Sequence, residues 1–251
     1  EQNVRAIQDL EYKWGARIEP WNVSERFLKI EESALPLAGG AVGQVFRALY
    51  HSQPVAVKEV FATAVDRLET QQLSREVEIL ASLSHPRIVQ LFGLCKLEQL
   101  GKIVVVMEFL PRSLAIALQL DCMKNEGTVK FHAPKADKTF ANNLTLALNE
   151  SDKNRILIQV VEACLFLERL SIAHRDLKPG NVLLTSANNA KLCDFGSAIR
   201  LKDYSEHSNV EGTAGFTAPE VLCTFNAEKL SPLKAANLQQ IDCLAFHKFL
   251  Q

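Results

Sequence analysis

The chain has 251 residues, 47% hydrophobic and 23% charged, the proportions of a globular protein long enough to bury a sizeable core. Lys plus Arg number 28 against 29 Asp plus Glu, a formal charge of −1, and with no basic stripe this excludes a nucleic-acid or anionic-membrane partner from the reading. No run approaches the roughly 20 apolar residues of a membrane segment, and six cysteines without a CxxC spacing suit reduced thiols in a cytoplasmic protein rather than a zinc site.

Residues 1–23 are polar with scattered aromatics (Tyr12, Trp14, Trp21) and read as an N-terminal extension. The opening Glu1 and the lack of a signal peptide lead us to expect a longer parent protein. From about 27 to 61 the pattern is strand-like. Leu35-Pro36-Leu37 enters a turn of small residues, Ala38-Gly39-Gly40-Ala41-Val42-Gly43. Val45-Phe46 and, after a turn at His51–Pro54, Val55-Ala56-Val57 continue as strand. Leu73, Glu76, Leu80 and Leu83 step by helical intervals and predict a helix over 66–83. Ile103 to Met107 is a buried-type strand, and Pro111 punctuates the chain after it. Residues 119–150 are mixed polar and read as a surface insertion. A core helix is predicted over 152–170, with Ile156, Val160, Ala163, Leu167 and Leu170 on one face and Leu157, Val161 and Leu165 widening it. Strands with one helix, followed mostly by helices, predict an α+β protein of two lobes rather than an alternating βαβ sheet.

Three segments carry chemistry. Glycines at 39, 40 and 43 let backbone N–H groups approach a phosphate, although a plain hairpin uses them as well. Strand follows them where a dinucleotide fold would place a helix, which disfavours that fold. Lys58 ends the Val55-Ala56-Val57 strand. Glu76 shares a face with leucines, where an unpaired carboxylate is costly, so the two are predicted to pair. The third segment is His174-Arg175-Asp176-Leu177-Lys178-Pro179-Gly180-Asn181. Its Asp can accept a hydroxyl proton, its Lys can neutralise a phosphoryl oxygen, and its Asn can offer a carbonyl oxygen to a hard cation. Asp194-Phe195-Gly196 adds a second carboxylate beside a flexible residue, and Ala218-Pro219-Glu220 closes the series.

In this order these segments resemble the eukaryotic protein-kinase family: Gly-rich loop, Val-Ala-Val-Lys, helix Glu, HRDLKPGN, DFG and APE, from about Leu37 to Phe246. The resemblance implies a small β-rich N-lobe with hinge over 24–110 and a helical C-lobe over 111–251. It implies ATP and Mg²⁺ as cofactors and protein Ser/Thr hydroxyls as substrate. Leu37, Ala38, Gly39, Gly40 and Gly43 would cover the phosphates. Val45, Ala56 and Leu183 would line the adenine slot, with Met107 behind it and Glu108 to Leu110 as the hinge. Lys58, oriented by Glu76, would hold the α/β-phosphates. Asp176 would be the catalytic base, Lys178 would steady the γ-phosphate, and Asn181 and Asp194 would hold Mg²⁺. Leu80, Leu91, His174 and Phe195 would form an apolar column, and Asp242 would begin a helix anchoring the catalytic loop.

Lys178 and Thr213 point to the Ser/Thr type, and Gly212-Thr213-Ala214-Gly215-Phe216 with the Trp-containing lead-in is similar to the tyrosine-kinase-like group. Arg175 suggests regulation by an upstream kinase acting within 197–217, with Ser205 or Ser208 favoured. Cys193 is a small apolar filler or a thiol within reach of an electrophile in the ATP site. Two features depart from the family. Ala38 stands where a glycine is usual, and a positive φ there would cost about 1 kcal/mol. The C-lobe reads as truncated near Asp242, leaving Glu220 without its usual arginine and apolar surface exposed. The alternative reading is therefore a nucleotide-binding pseudokinase or scaffold; a tyrosine or dual-specificity kinase is a third.

Overall fold

A computed structural model describes residues 22–30, 38–40, 43–59, 75–97, 102–118, 148–203, 213 and 216. The chain divides into two compact units, Glu1–Ser84 with Val89–Phe109, and His85–Ile88 with Leu110–Gln251. It is an α+β protein of two lobes.

The first unit is built on an antiparallel sheet. Its strands are β1 (Leu28–Ile30), β2 (Ala38–Gly40), β3 (Gly43–Tyr50), β4 (Gln53–Glu59), β5 (Leu91–Leu97) and β6 (Lys102–Glu108), in the order β1-β3-β4-β6-β5 with β2 paired to β3. The β3–β4 connection is shorter than predicted. Only His51 and Ser52 form the turn, with φ of 47° and 65°, and Pro54 belongs to β4 opposite Leu49. Positive φ at both turn positions matches the right-handed twist of the flanking strands. Pro54 is tolerated because Tyr50 and Gln53 close the hairpin, so its missing N–H faces the β6 side, where pairing starts only at Val55 with Glu108.

Alternation along these strands sorts the side chains. Ala48, Val55, Val57, Cys95, Leu97, Val104 and Val106 join Val23 and Leu28 in a buried cluster on one face. The opposite face carries Val45, Arg47, Ala56, Lys58, Val105 and Met107, as the registers Val45–Lys58, Arg47–Ala56, Ala56–Met107 and Lys58–Val105 require. A bulge between Leu91 and Gly93 brings Leu91 opposite Met107 and leaves Phe92 exposed. Residues 75–81 are helical and bury Glu76, Val77, Ile79 and Leu80, while Leu83 lies past the helix end. Leu73 and the remainder of the predicted 66–83 helix lie outside the described residues.

The second unit contains a 20-residue helix, Glu150–Arg169, which starts two residues before the predicted position. Asn149 caps it by accepting from the Asp152 N–H at 2.7 Å. Its buried face is Ile156, Gln159, Val160, Ala163 and Leu167. Leu170, predicted on this face, is exposed, and in the predicted widening stripe Val161 and Leu165 are exposed while Leu157 is half-buried; Ile158 is 62% exposed. The remaining strands are short. They are β7 (Arg112–Ser113), β8 (Ile172–Ala173), β9 (Val182–Leu184), β10 (Ala190–Leu192) and β11 (Ile199–Arg200), arranged as β10-β9-β7 and β11-β8. Most of the predicted 119–150 insertion lies outside the described residues, as do residues 1–21 of the predicted 1–23 extension and everything beyond residue 216. No helix among the described residues is long and apolar enough to cross a membrane.

Candidate active site

In the first unit, Ala38–Gly40 pairs antiparallel with Gly43–Val45, so the glycine segment folds as a hairpin. Ala38 lies in extended strand opposite Val45, so the positive-φ cost considered for it does not arise. Leu37 lies outside the described residues. Lys58, near the end of β4, donates to both carboxylate oxygens of Glu76 at 2.7 Å. Their side chains are 12% and 8% exposed, so the pair is largely out of water and each charge depends on the other. The sheet places Lys58 on the same face as Val45, Ala56 and Met107, four of the residues assigned to nucleotide contact. Glu108 follows on β6, and its N–H donates to Gln90 O at 2.9 Å.

In the second unit, two loops are tied together. The loop 174–181 runs from β8 to β9, and the loop 193–198 runs from β10 to β11. The antiparallel pairings β8–β11 and β9–β10 therefore hold both loops at both ends. The Cys193 N–H donates to Asn181 O at 2.9 Å, and His174 Nε2 lies 3.0 Å from Cys193 O. His174 and Phe195 are fully buried and pack edge to face at 5.0 Å. Leu80 and Leu91 are buried within the first unit.

Asp176 is the centre of this arrangement. Its Oδ2 accepts from Lys178 Nζ at 2.7 Å and from Asn181 Nδ2 at 2.9 Å, while its Oδ1 accepts from Thr213 Oγ1 at 2.7 Å. Lys178 Nζ also donates to Thr213 Oγ1 at 2.8 Å, closing a triangle of Asp, Lys and Thr. Burial by itself would push the Asp176 carboxyl up. The bonds from Lys178 and Thr213, the Lys178 charge and the Asn181 bond outweigh burial and hold it below the ordinary carboxylate range. Two donors on Oδ2 fill its lone pairs, and Oδ1 keeps one open.

Asn181 also donates from Nδ2 to the Asp176 carbonyl at 2.8 Å. Both of its partners are acceptors, so the amide nitrogen must point to them, and Oδ1 has no partner among the described residues. Asp194 is exposed and has φ of 61°. The left-handed residue here is the aspartate itself, not Gly196, the residue most free to adopt such angles. Arg175 is likewise left-handed, at 66°, and its buried side chain donates from Nε to Ser197 O at 2.6 Å. Such residues cost on the order of 1 kcal/mol each and persist where the surroundings over-determine them. Leu183 is on β9, paired with Lys191 and Ser113. Glu220, Asp242, Ser205 and Ser208 lie outside the described residues.

Gln159 is a polar residue that the sequence reading passed over. Buried on the long helix, its Oε1 accepts from the Ala190 N–H at 2.6 Å and its Nε2 donates to Asn189 Oδ1 at 2.9 Å. It pins the start of β10 to the helix. A lone glutamine three residues after Ile156 on the apolar stripe was the available signal, of the kind that exposed the role of Glu76.

A metal bound here would have few protein ligands. Among the described residues, no group of three or more His, Cys, Asp or Glu could hold an ion. An amide oxygen and one exposed carboxylate on linked loops fit Mg²⁺, which usually takes one or two protein ligands and completes its shell with phosphates and water.

A family model described as a protein kinase domain matches residues 35–233. The serine/threonine-protein kinase 10-A of Xenopus laevis is 32% identical over 74% of this chain and 17% of its own length. A putative L-type lectin-domain containing receptor kinase V.2 of Arabidopsis thaliana is 31% identical over 95% of this chain and 34% of its own length. A RasGEF domain-containing serine/threonine-protein kinase X of Dictyostelium discoideum is 31% identical over 80% and 18%. The chain thus spans about a third or less of these relatives.

Proposed function

The chain belongs to the protein-kinase family, and from that premise we propose that it transfers the γ-phosphate of ATP to serine or threonine hydroxyls of protein substrates. The observation that carries this reading is the closed set of bonds among Asp176, Lys178, Thr213 and Asn181. It leaves a buried-edge carboxylate ionised with one acceptor position open, which is what a base for a neutral hydroxyl needs. Two of the three relatives above are named as serine/threonine kinases, in keeping with the Ser/Thr reading.

In this reading Val45, Ala56, Met107 and Leu183 contact adenine, the hinge Glu108 to Leu110 binds its edge, and the 38–43 hairpin covers the phosphates. Lys58, held by Glu76, takes the α/β-phosphates. Asn181 Oδ1 and the Asp194 carboxylate hold Mg²⁺, which when bound neutralises phosphate charge. Asp176 Oδ1 accepts the proton of the substrate hydroxyl as that oxygen bonds the γ-phosphorus and the bridge to the β-phosphate breaks, leaving ADP. Lys178 donates to the transferring group, so charge on its oxygens meets a cation already fixed by Asp176 and Thr213. Phosphorylation of a residue within 197–217 by an upstream kinase, and a cytoplasmic setting, belong to the same proposal.

The test is transfer of label from γ-labelled ATP–Mg²⁺ to generic protein substrates, with Asp176→Asn as control. Phosphoserine and phosphothreonine above the control level are expected. ATP binding with transfer no higher than the control would replace this reading with the pseudokinase, and phosphotyrosine alone would replace its Ser/Thr specificity.

A further inference from the structure

One charged side chain on the nucleotide-facing side of the first unit has no role in the mechanism above. Arg47 lies on β3 directly opposite Ala56 and two residues after Val45, so it shares the face of Val45, Ala56, Lys58 and Met107. Its Nε is buried without a hydrogen-bond partner. Its guanidinium carbon sits 5.5 Å from the centroid of the Phe109 ring. Phe109 is the middle residue of the segment Glu108 to Leu110.

A buried guanidinium nitrogen without a partner is costly, and most surface arginines avoid that state by turning to water. Here the side chain is instead laid on the aromatic ring of one short segment. Arg47 and Phe109 therefore constrain each other: the ring gives the cation a partner, and the cation fixes the ring and with it the backbone on both sides. The neighbouring Glu108 N–H is already spent on Gln90 O, so the groups the segment can present to a ligand are set by how that backbone is held.

We infer that Arg47 is a positioning residue for nucleotide binding: stacked on Phe109, it holds the hinge segment in the conformation that receives the purine edge. The inference rests on the ATP-binding reading and deepens it. Arg47 touches no reacting atom, so it acts on nucleotide affinity and leaves the chemical step alone.

The experiment measures the affinity of a fluorescent ADP analogue, together with kcat, KM for ATP and Tm, for the wild-type chain, Arg47→Ala, Arg47→Lys, Phe109→Leu and the double variant Arg47→Ala/Phe109→Leu. Arg47→Ala is expected to weaken nucleotide binding and raise KM about three- to tenfold, the span of a partly desolvated cation–π contact, with kcat changed less than about twofold. Arg47→Lys should recover part of the loss, since a lysine keeps the charge without the flat stacking surface. The double variant should be no weaker than the worse single one, because the two residues act through one contact. Unchanged binding in Arg47→Ala, additive losses in the double variant, or a fall in Tm with affinity intact would each overturn the inference while leaving the ATP-binding reading in place. A wild-type chain that binds no nucleotide would remove both.

Discussion

At the scale of single residues the site is governed by how few acceptor positions are left open. Asp176 is half-sheltered yet held ionised, because the bonds from Lys178, Thr213 and Asn181 and the Lys178 charge outweigh the burial that would protonate it. Its folded value lies below that of a free carboxyl, so it stabilises the fold at every pH above the unfolded value of about 3.9 and loses that contribution as pH falls through the folded value. Carbon NMR of the Asp176 carboxyl should accordingly show it ionised across about pH 5 to 8, with its midpoint moving upward in Thr213→Val. Asp176→Asn keeps the shape and removes the proton acceptor. It should lower kcat about 10² to 10⁴-fold with ATP affinity within a few fold, read from steady-state kinetics and nucleotide binding. Lys58 and Glu76 form a different kind of pair, largely buried and bidentate. Lys58→Met removes the cation paired with the buried Glu76 carboxylate, and chemical denaturation should show a loss of about 3–5 kcal/mol, alongside loss of ATP binding.

At the scale of elements, the short strands of the second unit matter more than their length suggests. β9 follows Asn181 directly and β10 ends just before Cys193 and Asp194, so the β9–β10 pairing sets where the two proposed Mg²⁺ ligands emerge. Gln159 fixes the start of β10 to the long helix through a backbone N–H and Asn189. Gln159→Leu should leave ATP affinity without metal unchanged while raising the Mg²⁺ concentration for half-maximal activity several fold. A purely structural role would lower Tm without moving the Mg²⁺ dependence. In the first unit, the β3–β4 turn holds two non-glycine residues at positive φ, with His51 stacked on Phe27 at 4.2 Å. Ser52→Gly removes the left-handed penalty and spares that stack. It should raise stability by about 0.5–1 kcal/mol, a shift of a few degrees by calorimetry.

At the scale of the whole chain, two faces of very different character coexist. The long helix buries one stripe and leaves Ile158, Val161 and Leu165 exposed, three residues aligned at helical spacing. Replacing Ile158 and Leu165 with charged residues should reduce self-association in light scattering with Tm within a few degrees, since neither is buried. The sequence by itself determined which residues would meet in each unit: Lys58 with Glu76, because a carboxylate on a leucine stripe must be paired, and Asp176 with Lys178 and Asn181, because six positions on a Pro/Gly loop keep them together. Residue pattern likewise located the strands within 27–59 and at Ile103–Met107 and the long helix, but not β5 or the short strands of the second unit. Three further properties were decided by tertiary structure alone. They are which of two apolar stripes on that helix is buried, which loop residue takes the left-handed conformation (Asp194 rather than Gly196), and which polar side chains outside the motifs, Gln159 and Arg47, hold the site. Each depends on what lies opposite in space, and a pattern along the chain records only the spacing of side chains, not the partner each one meets.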